Sequence, residues 1–465
     1  MSQKEIQSNR KITKIGITND TLTSRGGLVL FTRYLSSINI CDLLATPFAH
    51  SRRSAKGLAI TNILKQIMCF FFDGSSRHLT RFDELKKDKG YAAGLENNQN
   101  EMASSHQIKR FFRHFSWLAG GPFRKVLVSM FIWRLHIEQP KEIHLTIDTM
   151  VMNNDDAPKR HGVQPTYKKV KGFQPLHIIW NGKIVDAIFR GGKKHSNAGN
   201  TVVNMIKDLV GTIRKNYRKD VTIIVRLDSG FFDEVNFKFF DELQIGFVAT
   251  GKIYGSVKKQ VKERPAKAWK VYDNGHQTWQ YLEFEYGCDS WDVSYRAIYT
   301  RPMYEDQQKV LEFARPDNLI LTNLEETAPC LDHCNVETRK RLLCSKEIIK
   351  EHHQRGADEL PHRGLKDFGF EELPFKRFPA NHAFYYCMVL AFFLFETFKE
   401  DVLAEVIPIP LRCYATTVRR RVIDIAAKIV HTGHDIILKV TQTVMDQLHF
   451  DKLWQKTNSL SPIII

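Results

Sequence analysis

The run VTIIVRL, residues 221–227, constrains the fold most, because it is near-continuously apolar, of strand length, ends on Asp228 and breaks at Gly230. Such a run suits a strand buried on both faces, as in a parallel sheet covered by helices. Upstream, Ile143, Leu145 and Ile147 alternate with polar residues and end on Asp148, the period of a strand. LHIIW (176–180) and KIVDAIF (183–189) flank Asn181–Gly182, a strong hairpin signal. Val202, Met205, Ile206, Leu209, Val210 and Ile213 form a helical stripe within 201–213, and a helix (233–243) and a strand (245–250) follow Asp228. The resulting order, β-β-β-α-β-α-β, is that of an α/β fold. A strand, a crossover helix and a second parallel strand would carry Asp148 and Asp228 to the same sheet edge. Either aspartate alone reads as a turn or cap residue. Together they suit a Mg²⁺ site, since this ion needs only one or two carboxylates and completes its shell with water and phosphate oxygens.

A third carboxylate sits in HHQRGADELPHRGLK, residues 352–366. Arg355 lies four residues before Glu359 and Lys366 seven after it, so on a helix all three share a face. A carboxylate able to hold a cation, between two cations able to hold phosphate oxygens, suits phosphodiester chemistry. A solvated helix with i,i+4 charge pairs is the plainer reading. Pro361 and Gly364 are expected to interrupt any long helix here.

With 465 residues the chain is expected to form two to four domains. Its net charge of +17 implies an anionic partner. The cations fall in small clusters: Arg52–Arg53, Lys86–Lys87, Lys168–Lys169–Lys171, Lys193–Lys194 and Arg419–Arg420–Arg421. This spread fits a long nucleic-acid footprint better than one membrane-surface helix. The longest apolar stretch, 383–398, is short for a membrane span and holds Glu396, so it reads as a buried helix. The eight cysteines follow no disulfide framework, which points to the cytosol. Cys330, His333, Cys334 and Cys344 are the one zinc-like grouping, without finger or ribbon spacing. HExxH, GxSxG and P-loop motifs are absent.

Residues 1–137 read as helical, with Thr23 or Ser24 capping a helix over 27–35 and Ser54 one over 58–72. In HQIKRFFRHF an apolar stripe of Ile108, Phe111, Phe112 and Phe115 opposes Lys109, Arg110 and Arg113. This is either a recognition helix with its cations on DNA or a core helix with a solvated basic face. A helix over 123–135 leads into the first strand. Asp228 and Glu359 are 131 positions apart, too many for a simple connection; WQYLEFEY, VSYRAIYTR and NLILTNL supply strands within that gap. Trp279 and Trp291 there read as core residues before base-stacking ones. Residues 416–426 read as a basic helix before a hairpin turning at Thr432–Gly433, where His431 and His434 are solvated turn residues.

The order Asp148, Asp228, Glu359 resembles the catalytic triad of DDE transposases with an RNase H-like fold. The detail is similar to bacterial insertion-sequence transposases whose third motif is Tyr-x2-Arg-x3-Glu-x6-Lys, which falls here on His352, Arg355, Glu359 and Lys366. RLDSGF (226–231), HGVQ (161–164), GFQPL (172–176), LTNL (321–324) and HHQRGADE (352–359) resemble the branch numbered thirteen-eighty. Two departures stand out: His352 replaces the tyrosine, and Met150 stands where many relatives carry a further carboxylate, leaving Asp155 and Asp156 as substitutes.

The resemblance implies an RNase H-like (retroviral-integrase-like) core split as 138–250 and 346–400. A helical DNA-binding and dimerisation domain (1–137), a β-rich insertion contacting DNA (251–345) and a basic C-terminal helix and hairpin (401–465) complete the chain. It further implies cut-and-paste transposition by a bacterial, nucleoid-associated cytoplasmic enzyme. Asp148, Asp228 and Glu359 would hold two Mg²⁺ ions, with Mn²⁺ able to substitute. His352, Arg355, Lys366 and the basic clusters at Lys109, Arg110, Arg113, Lys168, Lys169 and Lys171 would hold double-stranded DNA, both terminal inverted repeats and target. A freed 3′-hydroxyl would form and then open a hairpin, and a homodimer would pair the two ends. The alternatives are an RNase H-like nuclease without strand transfer and a catalytically retired DNA-binding repressor.

Overall fold

The chain enters the fold through a strand, β1 (Thr21–Thr23), and a helix, α1 (Leu28–Ser37). Thr23 therefore lies in a strand and caps nothing, because it pairs with Ala427 near the other end of the chain. Gly27 precedes α1 where the C-terminal segment passes so close that a Cβ would lie 1.6 Å from the Val422 carbonyl oxygen. Helix α2 (Ile60–Asp73) follows; Ser54, the expected cap, lies outside the described residues. The computed structural model describes residues 12, 14–46, 57–115, 120–194, 197–303, 317–354 and 359–463. Helix α3 (Ser105–Arg113) opens on a capping box in which Ser104 and Gln107 satisfy each other's backbone N–H groups. Helix α4 (Gly120–Glu138) runs into the first sheet strand.

That strand, β2 (Glu142–Thr149), is followed by a small three-stranded sheet of β3 (Met152–Asn153), β4 (Gln164–Pro165) and β5 (Lys171–Phe173). Strands β6 (Leu176–Trp180) and β7 (Lys183–Ile188) form the expected hairpin. Asn181 and Gly182 both take positive φ, 46° and 79°, as its tight turn requires. Helix α5 (Thr201–Asn216) crosses to β8 (Thr222–Leu227), and α6 (Glu234–Glu242), capped by Asp233, leads to β9 (Gly246–Thr250). Strands β2, β8 and β9 are parallel, while β6 and β7 run antiparallel beyond β2. This is the arrangement of an RNase H-like core.

The long connection extends the same sheet. Strands β10 (Lys270–Asp273), β11 (Thr278–Tyr286), β12 (Tyr295–Met303) and β13 (Asn318–Thr322) pair antiparallel in turn, and β13 joins β9. The described order is β10-β11-β12-β13-β9-β8-β2-β6-β7. Helices α7 (Val336–Leu343) and α8 (Ser345–Gln354) cover one face, where Ile348 and Ile349 pack with Ile224 and Ile320. The other face packs with the N-terminal helices in the main core.

Helix α9 (Glu359–Phe368) runs through both Pro361 and Gly364, contrary to the expected interruption. Pro361 is its third residue, where the missing N–H would have had no intrahelical partner. At Gly364 a Cβ would meet the Phe392 ring at 3.0 Å, so glycine lets α9 lie close on α10 (Phe378–Phe398). Helix α10 is long and apolar enough to cross a membrane, yet 83% of its apolar window is buried. Phe71 and Phe112 of the N-terminal helices meet its Phe384 edge to face, with ring centroids 5.1 and 5.3 Å apart.

The C-terminal basic segment is helical over residues 415–423, but its winding widens part-way. A four-residue turn of helix, Ala415–Val418, passes into a wide turn, Arg419–Ile423. Arg419 is drawn inward, where its guanidinium donates to the carbonyls of Phe71, Phe72 and Phe368. It ties three segments together and is not part of the surface charge. Strands β14 (Ala427–Thr432) and β15 (Asp435–Lys439) complete a sheet with β1. Helix α11 (Phe450–Asn458) packs on α1.

Candidate active site

Parallel pairing of β2 with β8 places Ile147 beside Leu227 as the last registered pair, so Asp148 and Asp228 follow side by side. Both sidechains leave the face opposite Ile147 and Leu227, which are buried in the main core. Asp148 Oδ1 accepts the N–H of Thr149 at 2.7 Å, and Asp228 Oδ1 that of Gly230 at 2.8 Å. Each carboxylate is thus oriented by backbone at a strand's carboxyl end, where open α/β sheets bind ligands.

Helix α9 brings the third motif to this edge. Its backbone starts at Glu359, and His362, one turn later, has Nδ1 3.7 Å from Asp148 Oδ2. The side chain of Glu359 and all of Arg355 lie outside the described residues. Burial, with the nearby charges of Lys366 and Lys168, pushes His362 down to about 4, so a neutral imidazole faces Asp148 at neutral pH. Its Nε2 is 2.9 Å from Nδ1 of His177, whose other nitrogen meets the Tyr385 hydroxyl. His177 is fully buried, and burial holds its pKa well below the usual value. A neutral polar chain therefore runs from the carboxylate edge into the core.

A sequence model of the family described as "Transposase DDE domain group 1" matches residues 4–462. The chain belongs to this family. Among solved structures it is similar to "Cryo-EM structure of piggyBac transposase synaptic complex with hairpin DNA (SNHP)". That similarity has 14% identity and a TM-score of 0.40, over 87% of this chain and 81% of that one. No curated protein matches the chain. Membership makes the chain a DDE-type enzyme of DNA cleavage, with the metal-dependent chemistry of the family in general.

Within this DDE domain, no three His, Cys, Asp or Glu side chains among the described residues group so as to hold a metal ion. The two adjacent aspartates nonetheless offer the hard oxygen donors that suit Mg²⁺. Lys366 stands at the same edge, its Nζ 2.8 Å from Glu371 Oε2. Lys168, Lys169 and Lys171 are exposed on the small sheet, with Lys169 at φ 61° in its turn. Asp155 accepts the Lys171 N–H at 2.7 Å and so braces that sheet. Met150 is buried. His352 lies on α8 with Nε2 2.9 Å from the Thr250 hydroxyl at the end of β9.

On α3, Arg110 and Arg113 are exposed and Lys109 half-buried, while Ile108 and Phe112 are buried. The helix thus has both a core face and a free basic face. Trp279 is buried, with its ring 4.7 Å from that of His353, and Trp291 packs on Phe232 at 5.0 Å, so both are packing residues. Cys330 is buried, and Cys334 Sγ lies 3.0 Å from the Thr222 hydroxyl. The sequence reading missed His362 and His177. The one available signal was their polarity, three residues after Glu359 and inside the apolar run LHIIW.

Proposed function

We propose that the chain is the cut-and-paste transposase of a bacterial insertion sequence, of the branch its motifs resemble. Asp148, Asp228 and Glu359 would hold two Mg²⁺ ions. When bound, the ions would supply an activated water and stabilise charge on the leaving oxygen. The protein's own part is placement. Backbone N–H groups fix the two aspartates, α9 would deliver the third carboxylate, and His362, held neutral by burial, adds no positive charge beside Asp148. Arg355, Lys366 and His352 would hold phosphates beside the cut, and the lysines of the small sheet and the cations of α3 would hold flanking duplex. Strand transfer at paired terminal repeats by a homodimer completes the reading. The observation supporting it best is the β2–β8 register, which sets Asp148 and Asp228 side by side one residue beyond Ile147 and Leu227.

The test is Mg²⁺-dependent nicking of a supercoiled plasmid carrying an element end, followed by joining of a precut end to target DNA. Asp148→Asn, Asp228→Asn and Glu359→Gln should each lower nicking by at least about a thousandfold. End binding should remain, because cations supply most of that affinity. Near-normal nicking by any one variant removes that residue from the metal site. Nicking without joining by the wild type leaves a nuclease.

A further inference from the structure

The geometry points to a self-association surface on β15, far in sequence from the catalytic motifs: the strand pairs antiparallel with β15 of a second copy of this chain. It is the outer strand of the β1-β14-β15 sheet, and among the described residues no strand pairs with its free edge. Ile436 is 68% exposed and Ile437 37%, unusual for two adjacent isoleucines on an edge strand. Sheet edges of this kind are normally short, charged or covered, because their free N–H and C=O groups template pairing with another chain.

The register identifies the occupant. Thr432 pairs with Asp435 across the two-residue turn, Val430 with Ile437 and Lys428 with Lys439. In a hairpin of this length those pairs exchange backbone hydrogen bonds, so Ile436 and Leu438 aim their N–H and C=O groups away from β14. A second β15 running antiparallel about Ile437 sets Ile436 opposite Leu438 of the partner subunit, twice over. Both are outward-facing positions, so both pairs complete their backbone bonds. The same register sets Ile437 opposite the partner's Ile437 and Asp435 opposite the partner's Lys439.

The strand Asp-Ile-Ile-Leu-Lys is therefore its own antiparallel complement, apolar against apolar and acid against base at both ends. Shifting the register by two residues destroys both charge pairs. A groove of about 970 Å³ lined by Ile436, Leu438, Met445, Phe450, Trp454 and Arg33 runs along the inner face of the strand. The isologous contact gives a two-fold dimer, with the strand setting register and the groove taking the inward side chains.

The test uses the full-length protein without DNA or metal, so its result does not bear on the catalytic reading. Sedimentation over a concentration series should show a monomer–dimer equilibrium, and amide exchange at Ile436 and Leu438 should slow as concentration rises. Asp435→Lys and Lys439→Asp should each weaken association by ~tenfold, since each places like charges opposite one another twice. The double variant restores both pairs and should recover most of the affinity. Ile436→Pro removes an outward donor without touching the bonds to β14 and should abolish dimerisation. A wild type that stays monomeric overturns the proposal, as do slow edge amides in a monomer, which would assign the edge to another segment of the same chain. Charge reversals that leave association unchanged, or a double variant no better than the singles, overturn it too.

Discussion

The two ends of the β2–β8 pair carry ionisable groups on the same sheet face and use them in opposite ways. At the amino end, His144 Nδ1 lies 2.6 Å from Glu351 and Nε2 3.1 Å from Glu142, and Arg341 pairs with Glu142; Arg226, from further along β8, comes within 3.5 Å of the same Glu351. Every charge there meets its opposite. Burial works against each ion, but the hydrogen bonds and charges outweigh it: Glu142 falls to about 2 and His144 rises to about 9. At the carboxyl end two aspartates stand together, and the nearest ring, His362, is kept neutral by burial. The first end is complete without a ligand and anchors α8 to the sheet. The second sets two carboxylates side by side at the carboxyl ends of β2 and β8, oxygen donors of the kind that suit Mg²⁺.

Mutation should separate these ends by stability. His144→Ala leaves Glu142 and Glu351 facing each other partly buried and should cost about 3 kcal/mol in urea unfolding at pH 6. Asp148→Asn keeps the acceptor for the Thr149 N–H and removes a repulsion, so it should stay within about 1 kcal/mol of wild type. The reverse order of costs would mean that the aspartate edge is the structural one.

The pH dependence sharpens the contrast. His144 has a raised pKa, so its contribution is fully present below its unfolded value of about 6.5 and is lost as pH rises through about 9. Glu142 is depressed, so its contribution is present above about 4.5 and is lost as pH falls through about 2. The stability gap between wild type and His144→Ala should therefore shrink by ~2 kcal/mol between pH 6.5 and 9.5. A gap independent of pH would assign the loss to packing alone.

Local signals carried the sequence reading of the carboxylate edge. A strand ending on Asp148, a crossover stripe and an apolar strand ending on Asp228 leave one sensible pairing, and Asn181–Gly182 marked the hairpin beside it. Non-local choices were not legible. Nothing in WQYLEFEY or NLILTNL says that β13 joins β9 and lengthens the central sheet, since strand pattern fixes a face and not a neighbour. Pro361 misled because a helix-breaking residue costs nothing in the first turn, and only the helix start reveals its position. Arg419 misled because charge counts do not distinguish a surface arginine from one that ties carbonyls together inside the fold.

The smallest expected effect concerns Lys366, which belongs to the second end by position and imitates the first by being paired. It and Glu371 lie 2.8 Å apart, each 34% exposed. An exposed pair of this kind is worth little to stability, so the lysine can exchange Glu371 for a phosphate at small cost. Lys366→Ala should therefore change unfolding by less than about 0.5 kcal/mol. The slope of log affinity for end DNA against log salt should shrink by ~0.9, the share of one phosphate contact. Glu371→Gln frees the lysine and should tighten DNA binding at low salt, whereas Arg341→Ala, at the compensated end, should leave the slope unchanged. An unaltered slope in Lys366→Ala, with Glu371→Gln binding like wild type, would move Lys366 to the structural side and leave Arg355 and His352 as the phosphate contacts nearest the cut.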